Sequence, residues 1–220
     1  MRTKIKLIIF DLDGTLVDSR PAIVASLHHA QRQFGMEIDS ADELLWALGP
    51  PLAEIMARLL RTDDEARIAR GIAAYRAHYA SVCLTHAQPY SGIRRALTDL
   101  ARTSTLFVGT SKLESIAVTV LDHFNLTASF ARVCGSQADG QFAKKADVIN
   151  EVIRGGDLDR SRTVIVGDRE HDIAGARSCG LQSVAVTYGY GSLVELTVAG
   201  PTALCDDPRD LPALIRALLH

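Results

Sequence analysis

The chain opens on a short, unbroken apolar run and then changes its pattern twice. Residues 4–10 read as a buried strand, β-branched and apolar, closed by the polar turn Asp11-Leu12-Asp13-Gly14-Thr15. A long stretch with helical punctuation follows. Residues 21–34 form one expected helix, with Ser19 as its cap and Pro21 in its first turn. Residues 41–48 form a second, stopped by Gly49-Pro50-Pro51, and residues 52–60 and 64–79 a third and a fourth. Nothing from Arg20 to Ala80 has the texture of a strand.

Beyond Pro89 short apolar runs alternate with helical segments. Strands are expected at 105–109, 132–134, 163–166, 183–186 and 203–205, and helices at 93–102, 145–153, 173–178, 193–198 and 211–219. Another helix is expected to open just after Thr110-Ser111-Lys112 and to run to Phe124. Short buried strands separated by helices imply a parallel sheet covered on both faces. The expected architecture is therefore α/β. A doubly wound core takes residues 1–14 and 88–220, and an all-helical segment, 15–87, is inserted between them.

Composition narrows the partners. The 220 residues are 47% apolar and 23% charged, the balance of a folded globular chain. With 24 basic and 26 acidic residues the net charge is −2, and no Lys or Arg run stands out. Nucleic acid and anionic membrane are poor partners for such a surface, whereas a small anionic substrate in a locally positive site is compatible with it. No apolar stretch approaches the ~18 residues of a membrane span, and the run before Asp11 is too short for a leader peptide. Cys83, Cys134, Cys179 and Cys205 are scattered without a Cys-x-x-Cys pair, so free thiols and a cytoplasmic location are expected.

In a doubly wound sheet ligands bind beyond the carboxyl ends of the strands, and four of these ends carry chemistry. Asp11 and Asp13 stand two apart with Gly14 allowing a sharp turn; paired carboxylates suit a nucleophile with an acid–base partner, or a metal. Thr110 and Ser111 offer hydroxyl and backbone donors to an anion. Lys145, preceded by Lys144, stands at a helix start, where a cation opposes the helix dipole at a small cost that hints at another partner. Asp168 and Asp172 lie four apart after the strand at 163–166. Each feature alone has an ordinary reading as a cap or a solvated turn. All four at the strand ends of one sheet could converge on a single crevice.

The runs Asp11-Leu12-Asp13-Gly14-Thr15-Leu16-Val17-Asp18-Ser19, Thr110-Ser111-Lys112, Lys145 and Gly167-Asp168-x-x-x-Asp172 resemble the four motifs of the haloacid dehalogenase superfamily. The helical insertion resembles the cap of its subclass I phosphatases. Gly49-Pro50-Pro51-Leu52 and Tyr188-Gly189-Tyr190-Gly191-Ser192 are similar to its phosphoglycolate phosphatase-like and 5′-nucleotidase-like branches. The resemblance implies an aspartyl-phosphate mechanism on a small phosphorylated metabolite. Asp11 would be the nucleophile and Asp13 the acid and then base. Thr110, Ser111, Gly14 and Lys145 would hold the phosphoryl group, with Lys144 as the alternative lysine. Mg²⁺ would be held by Asp11, the backbone carbonyl of Asp13, and Asp168. Asp172 would support the metal's waters or orient Lys145. Asp13 speaks against dehalogenation, which needs no proton for an alkoxide. A β-phosphoglucomutase-type mutase keeps the same motifs and is the other enzyme reading.

Overall fold

The structure is a computed structural model and describes residues 6–142, 144–154 and 159–219. Residues 4 and 5 of the first expected strand, and residues 1–5 of the expected core, lie outside the described residues. The chain divides into two compact units. One holds the chain up to Asp18 and from Pro89 onward, and the other is Ser19–Gln88.

The first unit is built on a parallel sheet. Among the described residues its strands are β1 (Leu7–Phe10), β4 (Thr105–Leu113), β5 (Arg132–Ser136), β6 (Thr163–Gly167), β7 (Gln182–Val186) and β8 (Ala203–Cys205). They lie in the order β5-β4-β1-β6-β7-β8, each neighbouring pair parallel. The sequence of the chain thus steps outward from β1 to one side through β4 and β5, and to the other through β6, β7 and β8. The reversal falls at β1, which is where such sheets open a crevice. Two further strands of two residues each, β2 (Val17–Asp18) and β3 (Gln88–Pro89), escape any periodicity test because they are too short to show a period.

Helices α4 (Ile93–Ala101), α5 (Glu114–His123), α6 (Lys145–Ile153), α7 (Glu170–Ser178), α8 (Leu193–Ala199) and α9 (Leu211–Leu218) alternate with these strands. Every residue of β1 and β6 is buried, as burial on both faces of a parallel sheet requires. Side chains alternate in direction along a strand. Leu7 and Ile9 of β1 join Ile165 of β6 with Val148, Ile149 and Val152 of α6 and Ala176 of α7 in one core cluster. On α4 the buried positions Ile93, Ala96, Leu97 and Leu100 recur at the spacing of one helix face.

The second unit contains α1 (Arg20–Gln33), α2 (Leu52–Leu59) and α3 (Glu65–Val82), with α1 and α2 each packed on α3. Residues 41–48 do not form the expected helix. They run as turns with a single 3₁₀ turn at Leu45–Ala47. Ser40 and Glu43 make the reciprocal bonds of a helix start, the Ser40 N–H donating to Glu43 Oε2 at 2.8 Å. Leu48 is already extended, three residues before Pro51. Pro50 and Pro51 bar a helix from running on through this segment and favour extended backbone ahead of them. The adjoining Trp46 instead lies under the Arg58 guanidinium, 3.9 Å from ring centroid to Cζ. All four cysteines are free and buried, and no described helix is long and apolar enough to cross a membrane.

The Ile9–Ile165 layer fixes where the strand ends lie. Ile165→Ala, at a position 1% exposed, should lower the unfolding free energy by about 2–5 kcal/mol in urea denaturation.

Candidate active site

β1 ends on Asp11, whose N–H donates to the Val166 carbonyl of β6 at 2.8 Å, so the turn begins locked to the neighbouring strand. The chain then closes tightly. The N–H groups of Leu16 and Val17 both donate to the Leu12 carbonyl, at 2.9 and 3.0 Å. Gly14 sits at φ +82°, and a Cβ there would fall 2.1 Å from Asp168 Oδ2. Glycine is required both for the left-handed backbone and for the approach of Asp168. Gly14 therefore meets a carboxylate in this structure.

Lys145 crosses the sheet end to reach Asp11. Its Nζ lies 2.6 Å from Asp11 Oδ1, 2.7 Å from Asp172 Oδ1 and 3.0 Å from the Gly109 carbonyl. Asp11 Oδ1 and the Gly109 carbonyl accept hydrogen bonds from the ammonium, and Asp172 Oδ1 faces it as an ion pair. Of the two adjacent lysines it is Lys145 that enters the site; Lys144 is the exposed residue ahead of α6. Its stem passes over Gly175 of α7, where a Cβ would stand 3.0 Å from Lys145 Cγ. Burial opposes the charged form of Lys145, but Asp11 and Asp172 outweigh it and hold the ammonium above its ordinary range. Burial pushes the Asp11 carboxyl up to about 6; Lys145 pulls it down, while Asp172 and Asp13 add to the rise.

Asp168 follows β6 and is clamped from three directions. Thr15 Oγ1 donates to its Oδ1 at 3.2 Å, the Tyr190 N–H to its Oδ2 at 2.7 Å, and the Gly191 N–H to its carbonyl at 3.1 Å. Gly189 completes the clamp, since a Cβ there would come within 2.3 Å of Asp168 Cβ and 2.4 Å of the Gly14 carbonyl. The Tyr188 hydroxyl, donating to the Thr15 carbonyl at 3.1 Å, ties this loop to the first turn. Burial, with Asp172 and Asp11 nearby, holds the Asp168 carboxyl well above its usual value. Asp172 is the third residue of α7, and its Oδ2 accepts the Arg169 N–H at 3.1 Å as part of the helix start.

The fourth strand end differs from expectation. The helix opens where expected, α5 starting at Glu114 with Leu113 as its cap, but the strand ahead of it runs on past Gly109. Thr110, Ser111 and Lys112 belong to β4, which continues to pair with β5 through Leu113 opposite Ser136 before α5 begins at Glu114. Thr110 is buried, its Oγ1 accepting the Lys112 N–H at 3.2 Å, and Ser111 is half-buried. Lys112 reaches Asp13, with Nζ 2.6 Å from Oδ2. The other Asp13 oxygen, Oδ1, is buried and has no hydrogen-bond partner among the described residues.

Thr15, Lys112 and the run Tyr188-Gly189-Tyr190 stood in the sequence only as parts of motif resemblances, with no role of their own. The 188–190 loop lies 20 residues beyond Asp168 and carries no carboxylate, lysine or histidine to draw attention to it.

Oxygens of Asp11, Asp168 and Asp172 lie within 4.8 Å of one another. Four carboxylates, with Asp13, face two ammonium groups, Lys112 and Lys145. The neighbouring Arg169 is engaged with Glu195 at 2.7 Å. Two negative charges are left over, in largely buried surroundings where charge repulsion is weakly screened. A hard divalent cation with oxygen ligands suits that deficit, and Mg²⁺ takes one or two carboxylates readily.

The family model for haloacid dehalogenase-like hydrolases matches residues 8–186. A relative named tyrosine-protein kinase PtkA, from Mycobacterium tuberculosis, is 37% identical over 211 residues, covering 93% of this chain and 72% of its own length. A phosphoglycolate phosphatase from Agrobacterium fabrum is 34% identical over 221 residues, covering 97% and 94%. A 5′-nucleotidase from Pseudomonas aeruginosa is 33% identical over 201 residues, covering 91% and 90%. The crystal structure of a predicted phosphatase from Clostridium acetobutylicum superposes with a TM-score of 0.91 at 30% identity, over 98% of this chain and 100% of that one.

Two outcomes test the site. A carboxyl whose folded pKa is raised costs nothing below its ordinary value of 3.8 and its full repulsion above about 6, so cation-free stability should fall as pH rises through that window. Protons also compete with the metal. The rise in Tm on adding Mg²⁺, followed by calorimetry, should be larger at about pH 7.5 than at about pH 5; equal rises would contradict the charge deficit. Gly189→Ala should push Asp168 out of its clamp and weaken Mg²⁺ binding about 10–100-fold in a calorimetric titration.

Proposed function

The chain belongs to the haloacid dehalogenase-like hydrolase family, and on that premise we propose that it is a Mg²⁺-dependent phosphomonoester hydrolase working through an aspartyl-phosphate on Asp11. The observation that carries this reading is the pairing of Asp11 Oδ1 with Lys145 Nζ at 2.6 Å, beside Asp168 and Asp172. A carboxylate and an ammonium held together there are the pair that attack on phosphorus and neutralisation of its oxygens would use.

The steps assigned to the chain's own residues follow from their chemistry. Asp11 attacks phosphorus and displaces the alcohol, splitting one hard step into two. Lys145 and Thr110 hold charge on the phosphoryl oxygens as it develops in the transition state. Asp13 gives its proton to the departing oxygen and afterwards takes one from the attacking water, help worth about 10²–10⁴-fold. Asp172 keeps Lys145 aimed at Asp11. Asp11, Asp168 and the Asp13 carbonyl are the groups assigned to hold Mg²⁺. When bound, the ion supplies the positive charge that lets an anionic nucleophile meet a phosphate dianion.

2-Phosphoglycolate is the leading substrate, supported by the Agrobacterium relative, whose alignment spans nearly the whole chain. A nucleoside 5′-monophosphate is second, supported by the Pseudomonas relative. The name of the mycobacterial relative favours one further reading, phosphoryl transfer to a tyrosine hydroxyl. A panel of phosphate esters with Mg²⁺, read as released phosphate, separates these, with a tyrosine-containing acceptor and labelled donor as the kinase arm and glucose 1-phosphate as the mutase arm.

With p-nitrophenyl phosphate, Asp11→Asn should lose essentially all turnover while keeping its circular dichroism, and excess chelator should do the same to the unaltered enzyme. Asp13→Asn should cost about 10²-fold or more with alkyl phosphates and much less with the nitrophenyl ester, whose leaving group hardly needs a proton. Equal losses would remove Asp13 from the acid role.

A further inference from the structure

We propose that Lys112 reads the leaving group, so that the site selects phosphate esters whose alcohol carries an anion, a carboxylate on the adjacent carbon being the fitting case. The proposal rests on the phosphatase reading and specifies its substrate class.

The first argument is division of labour within Asp13. Lys112 Nζ is 2.6 Å from Oδ2, while the buried Oδ1 has no hydrogen-bond partner among the described residues. An acid that serves the departing oxygen through Oδ1 therefore has its other oxygen against an ammonium. Whatever the departing oxygen is attached to enters within a few ångströms of that charge.

The second argument is that the two cations serve different ends of an ester. Lys145 is bound by Asp11, Asp172 and the Gly109 carbonyl, at the side of the nucleophile. Lys112 is bound to the acid, at the side of the leaving group. The side chains of Lys112 and Asp13 are only 9% and 19% exposed, so an anion meeting this ammonium is weakly screened.

The third argument is that the backbone is shaped to deliver Lys112 there. Between the pairs Gly109–Cys134 and Leu113–Ser136, four steps along β4 are matched by two along β5. This irregularity re-aims side chains at a sheet end, as bulges beside binding sites do. The Lys112 N–H is anchored on Thr110 Oγ1, so the residue assigned to the phosphoryl group also places the residue assigned to the alcohol.

The test compares 2-phosphoglycolate with its neutral amide isostere, carbamoylmethyl phosphate. The unaltered enzyme should favour the acid in kcat/KM by about 10–100-fold, the range of one charge-assisted contact. Lys112→Met should collapse that ratio toward one, whatever its effect on both rates, and Lys112→Arg should retain most of it. A wild-type ratio near one overturns the proposal without any variant, and an unchanged ratio in Lys112→Met reduces Lys112 to a prop for Asp13. If neither ester is hydrolysed, the phosphatase reading fails separately. The Kd ratio of the two esters, titrated with Mg²⁺ into Asp11→Asn with and without Lys112→Met, then decides the role of Lys112 by the same criteria.

Discussion

Like charge held at close quarters governs this molecule. Asp11, Asp168 and Asp172 bring carboxylate oxygens within 4.8 Å of one another, with Lys145 as the ammonium between Asp11 and Asp172. Such an arrangement opposes folding unless something offsets it. Its persistence depends on the rest of the core unit: buried apolar strands on both sides of β1, and helices α6 and α7 supplying Lys145 and Asp172. The same repulsion suits a divalent cation, the charge that the proposed reaction calls for.

Rigidity around Asp168 is the second requirement. A carboxylate pushed by its neighbours would swing away if it could. Thr15 and the Tyr190 N–H each hold one of its oxygens, and Gly14 and Gly189 leave no space between it and the two loops. The clamp joins the segment after β1 to the loop after β7, so one side chain's orientation depends on contacts from opposite halves of the chain. Ligand groups oriented in this way by a surrounding shell hold a metal far better than the ligands alone would.

Polarity along the crevice arises from the sheet. β1 is the point where the strand order reverses, with β4 and β6 at its sides. β6 contributes the carboxylate Asp168, and β4 contributes Thr110 and Lys112. A ligand lying across β1 therefore meets an acidic, metal-attracting side and a side with a hydroxyl and an ammonium. That asymmetry suits an ester with two chemically different ends.

Local pattern was enough to locate the strands and helices of the core, because burial on both faces writes continuous apolar runs and the connecting helices write their own period. It was also enough to single out Asp11, Asp13, Lys145, Asp168 and Asp172, because such positions recur at several strand ends of one sheet. It misjudged residues 41–48, where helix spacing was present but the chain settles into turns ahead of two prolines, and residues 110–112, which extend β4 across a register shift against β5. The choice of Lys145 over Lys144 rested on motif resemblance alone, and the Lys112–Asp13 pair and the contacts by which the Tyr188–Gly191 loop clamps Asp168 were not legible. Each joins positions far apart in the chain, and whether two such groups meet is set by sheet order, register and the space between packed elements. None of these is encoded in a residue's own neighbourhood, so the sequence determined which groups were available and the tertiary structure decided which of them face one another.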